Sequence, residues 1–220
     1  MNVAVLSAQP ATMTETLTIF FGYAVLAIFA QNAVFTRALG VSRLVQLVGD
    51  ARTNSLLFGL LQCVTQFLLA PVAWYAGGAA ASLGLGPAAR PLVYLGCIAA
   101  VSAVEMVLLH LIRLPWQRQL LRILPLAALN SCVLGTLLLG RTQNFTLTQS
   151  VGFGLGSGVG YLLAVLLVTE AQNRLRSKAI PAAFRGMPIT LIYIGVLALA
   201  IYGFTGHTVI LESPCKNDGR

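Results

Sequence analysis

Four residues able to do chemistry lie inside apolar runs. Asn32 sits in "QNAVFTRALG", Glu105 in "AVSAVEMVLLH", and Asn130 with Cys132 in "LPLAALNSCVLGTLLLG". A carboxylate deep in lipid costs about 2.5–3.5 kcal/mol on insertion scales, so Glu105 has to face protein, water or an ion path. It reads either as a buried interhelical hydrogen bond or as a cation or proton relay. Asn32 and Asn130 can hydrogen-bond across helices, typically for about 1 kcal/mol or less. They can also satisfy backbone groups freed where a helix is broken. Pro125 favours such a break, because it removes one donor and clashes with the preceding turn. His110, five residues after Glu105, reads as an interface histidine.

The other chemistries are thinly represented. The four cysteines, Cys63, Cys97, Cys132 and Cys215, form no CxxC pair and no Cys/His zinc spacing. A lone cysteine in an apolar helix most often serves as a small packing residue. "GFGLGSGVGY" (152–161) has the glycines of a phosphate loop but lacks the Lys-Ser/Thr that would follow. Gly152, Gly156 and Gly160 instead recur every four residues, the small-xxx-small spacing that lets two helices approach closely. No serine–histidine–acid set, paired soluble carboxylates or nucleotide fingerprint appears, so self-contained catalysis is not expected.

The elements that position these residues must be membrane helices. The chain has 220 residues, 57% hydrophobic and only 9% charged, against about 25% charged in a soluble domain. Too little polar surface exists to cover a water-soluble globule. The net charge of +8 does not mark a nucleic-acid surface, because the basic residues sit in short loops between apolar runs. Open strands are excluded in lipid, where their backbone polar groups stay unpaired. A crossing needs about 20 apolar residues, and six segments supply them: 16–36, 54–76, 91–113, 120–140, 148–170 and 187–206. The expected fold is a single all-α domain over 1–220, an integral membrane protein of six transmembrane helices. The first run reads as a retained span rather than a cleaved signal, because no basic region precedes it.

Charge gives the orientation. Arg37, Arg43 and Arg52 follow the first span, Arg113, Arg118 and Arg122 the third, and Arg174, Arg176, Lys178 and Arg185 the fifth. The opposite side holds only Arg90, Arg141, Lys216 and Arg220. The positive-inside rule places the richer side in the cytoplasm and both termini outside. Six spans divide into two sets of three, and because three is odd the second set enters the membrane upside down. Such inverted repeats place functional sites near mid-depth, often on broken helices. "QNAVFTRALG" and "LNSCVLGTLLLG" echo one another faintly across the two sets.

Three stretches carry a family resemblance: "EMV" with "LPLAALNSCVLG" (105–135), "GFGLGSGVGYLLAVLLVTEAQNRL" (152–175) and "IPAAFRGMPITLIYIGVLALAIYGFTG" (180–206). "QNAVFTRALGVS" (31–42) fits more loosely. Together they resemble the Rnf/Nqr membrane subunits, specifically the RnfA/NqrE-like branch, over nearly the whole chain. The resemblance implies a subunit of an ion-translocating electron-transport complex in the inner (cytoplasmic) membrane, not catalytic alone. Such complexes couple electron transfer, between ferredoxin or NADH and NAD or quinone, to Na⁺ or H⁺ movement. It implies a homologous RnfE/NqrD-like partner, related by a pseudo-two-fold axis, alongside other members of the complex. It also implies a [2Fe-2S] cluster shared by the pair, each chain offering one cysteine from its first span and one from its fourth. Cysteine thiolates suit such a cluster because they are soft and anionic. Cys132 matches the fourth-span ligand. Ser42, in "ALGVSR", stands where the first-span cysteine belongs, next to Arg43 in place of a small residue or proline. Cys63 and Cys97 match no ligand. Glu105 is then a candidate ion-path group, and Asn32 and Asn130 support broken helices. The alternative is a divergent non-redox scaffold or small transporter on the same fold, with Cys132 a remnant.

Overall fold

A computed structural model of the chain describes residues 13–49, 54–84, 86–112, 117–175, 181 and 184–205. Cys215, His207, Arg52, Arg113, Arg176, Lys178, Lys216, Arg220 and both termini lie outside the described residues.

The regular structure among the described residues is all helix, with no strand. In order they form α1 (Met13–Ile28), α2 (Ala33–Arg37), α3 (Val41–Gly49), α4 (Ser55–Ser82), a short 3-10 turn (Pro87–Ala89), α5 (Arg90–Ile112), α6 (Gln117–Ala128), α7 (Ser131–Thr142), α8 (Leu147–Leu175) and α9 (Met187–Thr205). Three helices, α4, α5 and α8, are each long and apolar enough to cross a membrane. The pair α6–α7 passes the same test together, bent by 45° at its break. α1 and α9 are shorter apolar helices. This is the build of a multi-pass membrane protein.

The first and fourth expected spans are not continuous rods. The first, expected over 16–36, is α1, a turn at residues 29–32, and then the five-residue α2. The fourth, expected over 120–140, is α6, a two-residue gap and α7. Pro125 is not the point of interruption. It lies within α6, and the Leu129 N–H still reaches its carbonyl at 3.0 Å. The break falls instead at Leu129 and Asn130, beyond which the Cys132 N–H takes the Asn130 side chain as its acceptor. The second span runs six residues further than expected, to Ser82, through an alanine- and glycine-rich tail that nothing interrupts.

Apart from α3, which has no counterpart in the second half, the two halves of the chain repeat one order: a broken pair, a long helix, an apolar helix. α8 is the centre of the packing, with α1 on one flank and α4 on the other. A Cβ added at Gly152 would meet the Phe20 carbonyl, one at Gly156 the Ala24 backbone, and one at Gly160 the Ala27 carbonyl. The glycine row of α8 therefore seats α1 directly against its backbone, as the spacing predicts. Gly154 and Gly158 do the same for α4, meeting the Gln66 carbonyl and the Cys63 Cα. Contact this close works in lipid because association there rests on van der Waals packing rather than on water exclusion. The largest cluster of buried apolar side chains lies around α2 and α3, with Phe58, Cys132, Tyr161, Val165 and Ile194 among its members.

Candidate functional site

Each break is capped by its own asparagine. The first amides of any helix lack an intrahelical acceptor, and a side-chain oxygen at the preceding position supplies one. Asn32 Oδ1 accepts from the Val34 N–H at 3.0 Å and the Phe35 N–H at 3.4 Å. Asn130 Oδ1 accepts from the Cys132 N–H at 3.3 Å. Both asparagines are buried, so water does not do this work.

The amide nitrogens of the same two residues reach into the opposite half. Asn32 Nδ2 donates to the Gly160 carbonyl of α8 at 3.1 Å. Asn130 Nδ2 donates to Gln62 Oε1 of α4 at 2.8 Å. The asparagines are 98 residues apart (32 to 130), and so are their partners (62 to 160). Two equivalent long helices thus receive two equivalent asparagines, each from the other half.

Around Asn130 the structure gathers polar groups from three elements. Gln62 and Gln66, one turn apart on α4, are both buried, as is Ser157 on α8. Gln66 Nε2 donates to Cys132 Sγ at 3.6 Å. Gln62 Nε2, Gln66 Oε1 and Ser157 Oγ have no hydrogen-bond partner among the described residues. Sequence reasoning does not single out these glutamines. A signal for them is present all the same: two amides four residues apart in an apolar run share one helix face.

Glu105 on α5 is 6% exposed and lies against α4, where Thr65 Oγ1 is 2.9 Å from Oε2. The same hydroxyl is 3.0 Å from the Leu61 carbonyl. A threonine has a single O–H to give. If it goes to Leu61, the link between Thr65 and Glu105 needs a proton on the carboxyl. Glu105 Oε1 has no protein partner. His110 is exposed, and Gln117 Nε2 lies 3.4 Å from its Nδ1 and donates to its carbonyl at 3.2 Å.

Cys132 and Ser42 face different surroundings. Cys132 is 0% exposed and is part of the main apolar cluster. Ser42, on α3, is exposed, and so is Ser131, the residue before Cys132. The loop leading into α3 closes over Cys132: the Gly40 N–H donates to Ser131 Oγ at 3.0 Å. A Cβ at Gly40 would lie 3.1 Å from Cys132 Cβ. No group of three or more His, Cys, Asp or Glu side chains suited to a metal occurs among the described residues.

The family question is decided by comparison with known proteins. The profile of the family described as "Rnf-Nqr subunit, membrane protein" matches residues 20–208. The chain belongs to the Rnf-Nqr family. Among curated relatives, this Rnf-Nqr chain is 33% identical over 195 residues to the E-type subunit of the Na(+)-translocating NADH-quinone reductase of Psychromonas ingrahamii, covering 86% of this chain and 90% of that one. It is 30% identical over 197 residues to the A-type subunit of the ion-translocating oxidoreductase complex of Vibrio cholerae, covering 89% of each. A shorter alignment, 47% identical over 83 residues, links it to the corresponding A-type protein of Syntrophotalea carbinolica, covering 38% of this chain and 43% of the relative. Both types are represented, in keeping with the branch the sequence resembles.

Proposed function

We propose that this chain is a membrane subunit of an Rnf/Nqr-type complex that couples electron transfer to Na⁺ or H⁺ movement. The observation that carries the reading is the reciprocal pair of capped breaks, Asn32 to α8 and Asn130 to α4. It occurs in a chain whose relatives are named as subunits of ion-translocating oxidoreductases. Interrupted helices related by an inverted repeat are a common setting for ion sites at mid-depth. In this reading the two halves thread the inner membrane in opposite senses. The basic loops face the cytoplasm and both termini face outward. Glu105 is the ion-path candidate, since it is the buried carboxylate among the described spans. A homologous RnfE/NqrD-like subunit is the expected neighbour, with further members of the complex beyond it.

Two measurements test this. The chain, tagged and solubilised in mild detergent, is expected to co-purify with further membrane subunits. Inverted vesicles from cells lacking it are expected to lose ion uptake driven by NADH or reduced ferredoxin. Recovery of the chain alone, with uptake intact, removes the reading. Reporters at Met1 and Arg220 that respond from inside the cell would remove the orientation.

A second reading, a scaffold or small transporter with no redox group of its own, draws on Ser42 and on the inward position of Cys132.

A further inference from the structure

We infer that none of the described cysteines, Cys63, Cys97 and Cys132, ligates an iron–sulfur cluster, and that Cys132 is instead an internal hydrogen-bond acceptor locking the second break. The inference rests on the reading above, that the chain occupies a subunit's place in such a complex.

The direction of Cys132 follows from where α7 begins. Helical residues advance by about 100° each, at 3.6 per turn. Ser131 is the first residue of α7 and is exposed, so the following residue turns away from that surface. Cys132 duly lies at 0% exposure, with Gln66 Nε2 donating to its sulfur at 3.6 Å. Gly40 is fitted over it with φ +76, and a Cβ there would also lie 2.8 Å from the Tyr161 ring. The sulfur thus faces Gln66 of α4, and the loop before α3 packs against the Cys132 Cβ.

An iron shared between two chains has to bond the sulfur directly, so the sulfur must lie on the chain's own surface. Bringing Cys132 there means turning the first turn of α7 by about 100°. That movement breaks the Asn130 cap on Cys132, the Gln66 bond and, through Asn130, the 2.8 Å bond to Gln62. Three buried polar contacts would be lost together, leaving their partners unpaired away from water. The exposed residues nearby do not replace the sulfur. Ser42 and Ser131 offer neutral hydroxyls, and iron–sulfur clusters select soft thiolates. Cys63 and Cys97 are half-buried on α4 and α5. Cys63 has its Cα against the position of a Gly158 side chain, and Cys97 packs in a separate apolar cluster.

The test uses the complex purified with this chain in place. Iron and acid-labile sulfide per complex, and the reduced-state EPR spectrum, are compared for wild type, Cys132→Ala and Cys132→Ser. Unchanged iron and spectrum in an assembled variant support the inference, as does absence of a [2Fe-2S] signal from a wild-type pair of this chain with its homologous neighbour. Loss of one [2Fe-2S] signal in either variant, with the complex still assembled, overturns it. Should neither variant assemble, the wild-type pair decides: a [2Fe-2S] signal from the pair overturns the inference, and its absence supports it. Co-purification of the wild-type chain is scored separately, so failure of the complex assignment is distinguishable from failure of this inference.

Discussion

Asn130 donates to Gln62 Oε1 at 2.8 Å, joining the second helix break to the long helix of the first half. The opposite carboxamide atom of Asn130 caps α7. One side chain therefore caps α7 and ties the break to α4. Asn32 performs the matching task between α2 and α8, with one difference. Its partner, the Gly160 carbonyl, lies in the middle of a continuous helix. Asn130's partner is a side chain whose own Nε2 has no hydrogen-bond partner among the described residues.

This difference predicts unequal mutants. Either Asn→Ala change removes a cap, worth about 0.5–2 kcal/mol. Asn130→Ala also orphans Gln62 Oε1 in a buried site, adding about 1–3 kcal/mol. Asn130→Ala is expected to lower the melting temperature in detergent more than Asn32→Ala does. Replacing Gln62 by Leu as well should recover part of that loss, since the orphaned acceptor is then gone. A double-mutant cycle with purely additive effects would show that the pair is not coupled.

The glycine row of α8 gives a second prediction. Gly156→Ala drives a methyl into the Ala24 backbone, which has no rotamer to move away. Gly22→Ala, on α1, meets nothing within 4 Å. Overpacking costs about 1–3 kcal/mol. Gly156→Ala should therefore lose that much by thermal or denaturant unfolding, and Gly22→Ala should match wild type. Equal behaviour of the two variants would argue against the close α1–α8 approach.

Much of this is legible in the sequence, and the gaps have identifiable causes. Asn32 and Asn130 stand out as amides in apolar runs, and the row Gly152, Gly156, Gly160 announces a close helix contact. The side to which Cys132 points is not legible. It depends on the register of α7, which begins one residue earlier at Ser131. Moving the break back to Pro125 would alter that register altogether. Proline is the stronger local signal, yet a proline in a helix interior can be absorbed when packing holds the segment. Ala127 and Ala128 beside it are fully buried. Gln62 and Gln66 are legible in principle, but their importance emerges only once α7 is set against α4.

Glu105 supplies a prediction in which stability and transport separate. Its link to Thr65 can be kept by Gln, whose side-chain amide offers both an acceptor and a donor at that position. Glu105→Gln is expected to leave the melting temperature unchanged, because it removes no packing and keeps a hydrogen bond. If Glu105 lies on the ion path, the same variant lowers redox-driven ion uptake into vesicles while the complex stays assembled. Uptake at the wild-type rate would assign Glu105 to the interhelical bond alone.

Gly40 gives the sharpest local test. It holds φ +76, in the left-handed region, and any Cβ there meets the Tyr161 ring, Asn130 Oδ1 and Cys132 Cβ at 2.8, 3.0 and 3.1 Å. Gly84 shares the left-handed backbone, with φ +69, but has open space around it. Gly84→Ala therefore measures the backbone strain alone, about 1–3 kcal/mol for a residue forced into such a region. Gly40→Ala adds crowding by three groups that are themselves fixed, since Asn130 is bonded to Gln62 and to the Cys132 N–H. It should cost clearly more than Gly84→Ala in unfolding measurements. Tyr161→Phe in the Gly40→Ala background should not rescue it, because the colliding atom belongs to the ring and not to the hydroxyl. The hydroxyl donates a long 3.5 Å bond to the Gly40 carbonyl, so Tyr161→Phe alone is expected to cost no more than about 0.5–1.5 kcal/mol. If Gly40→Ala were as mild as Gly84→Ala, the loop would not seal Cys132, and the thiol would become accessible to small alkylating reagents in the folded protein.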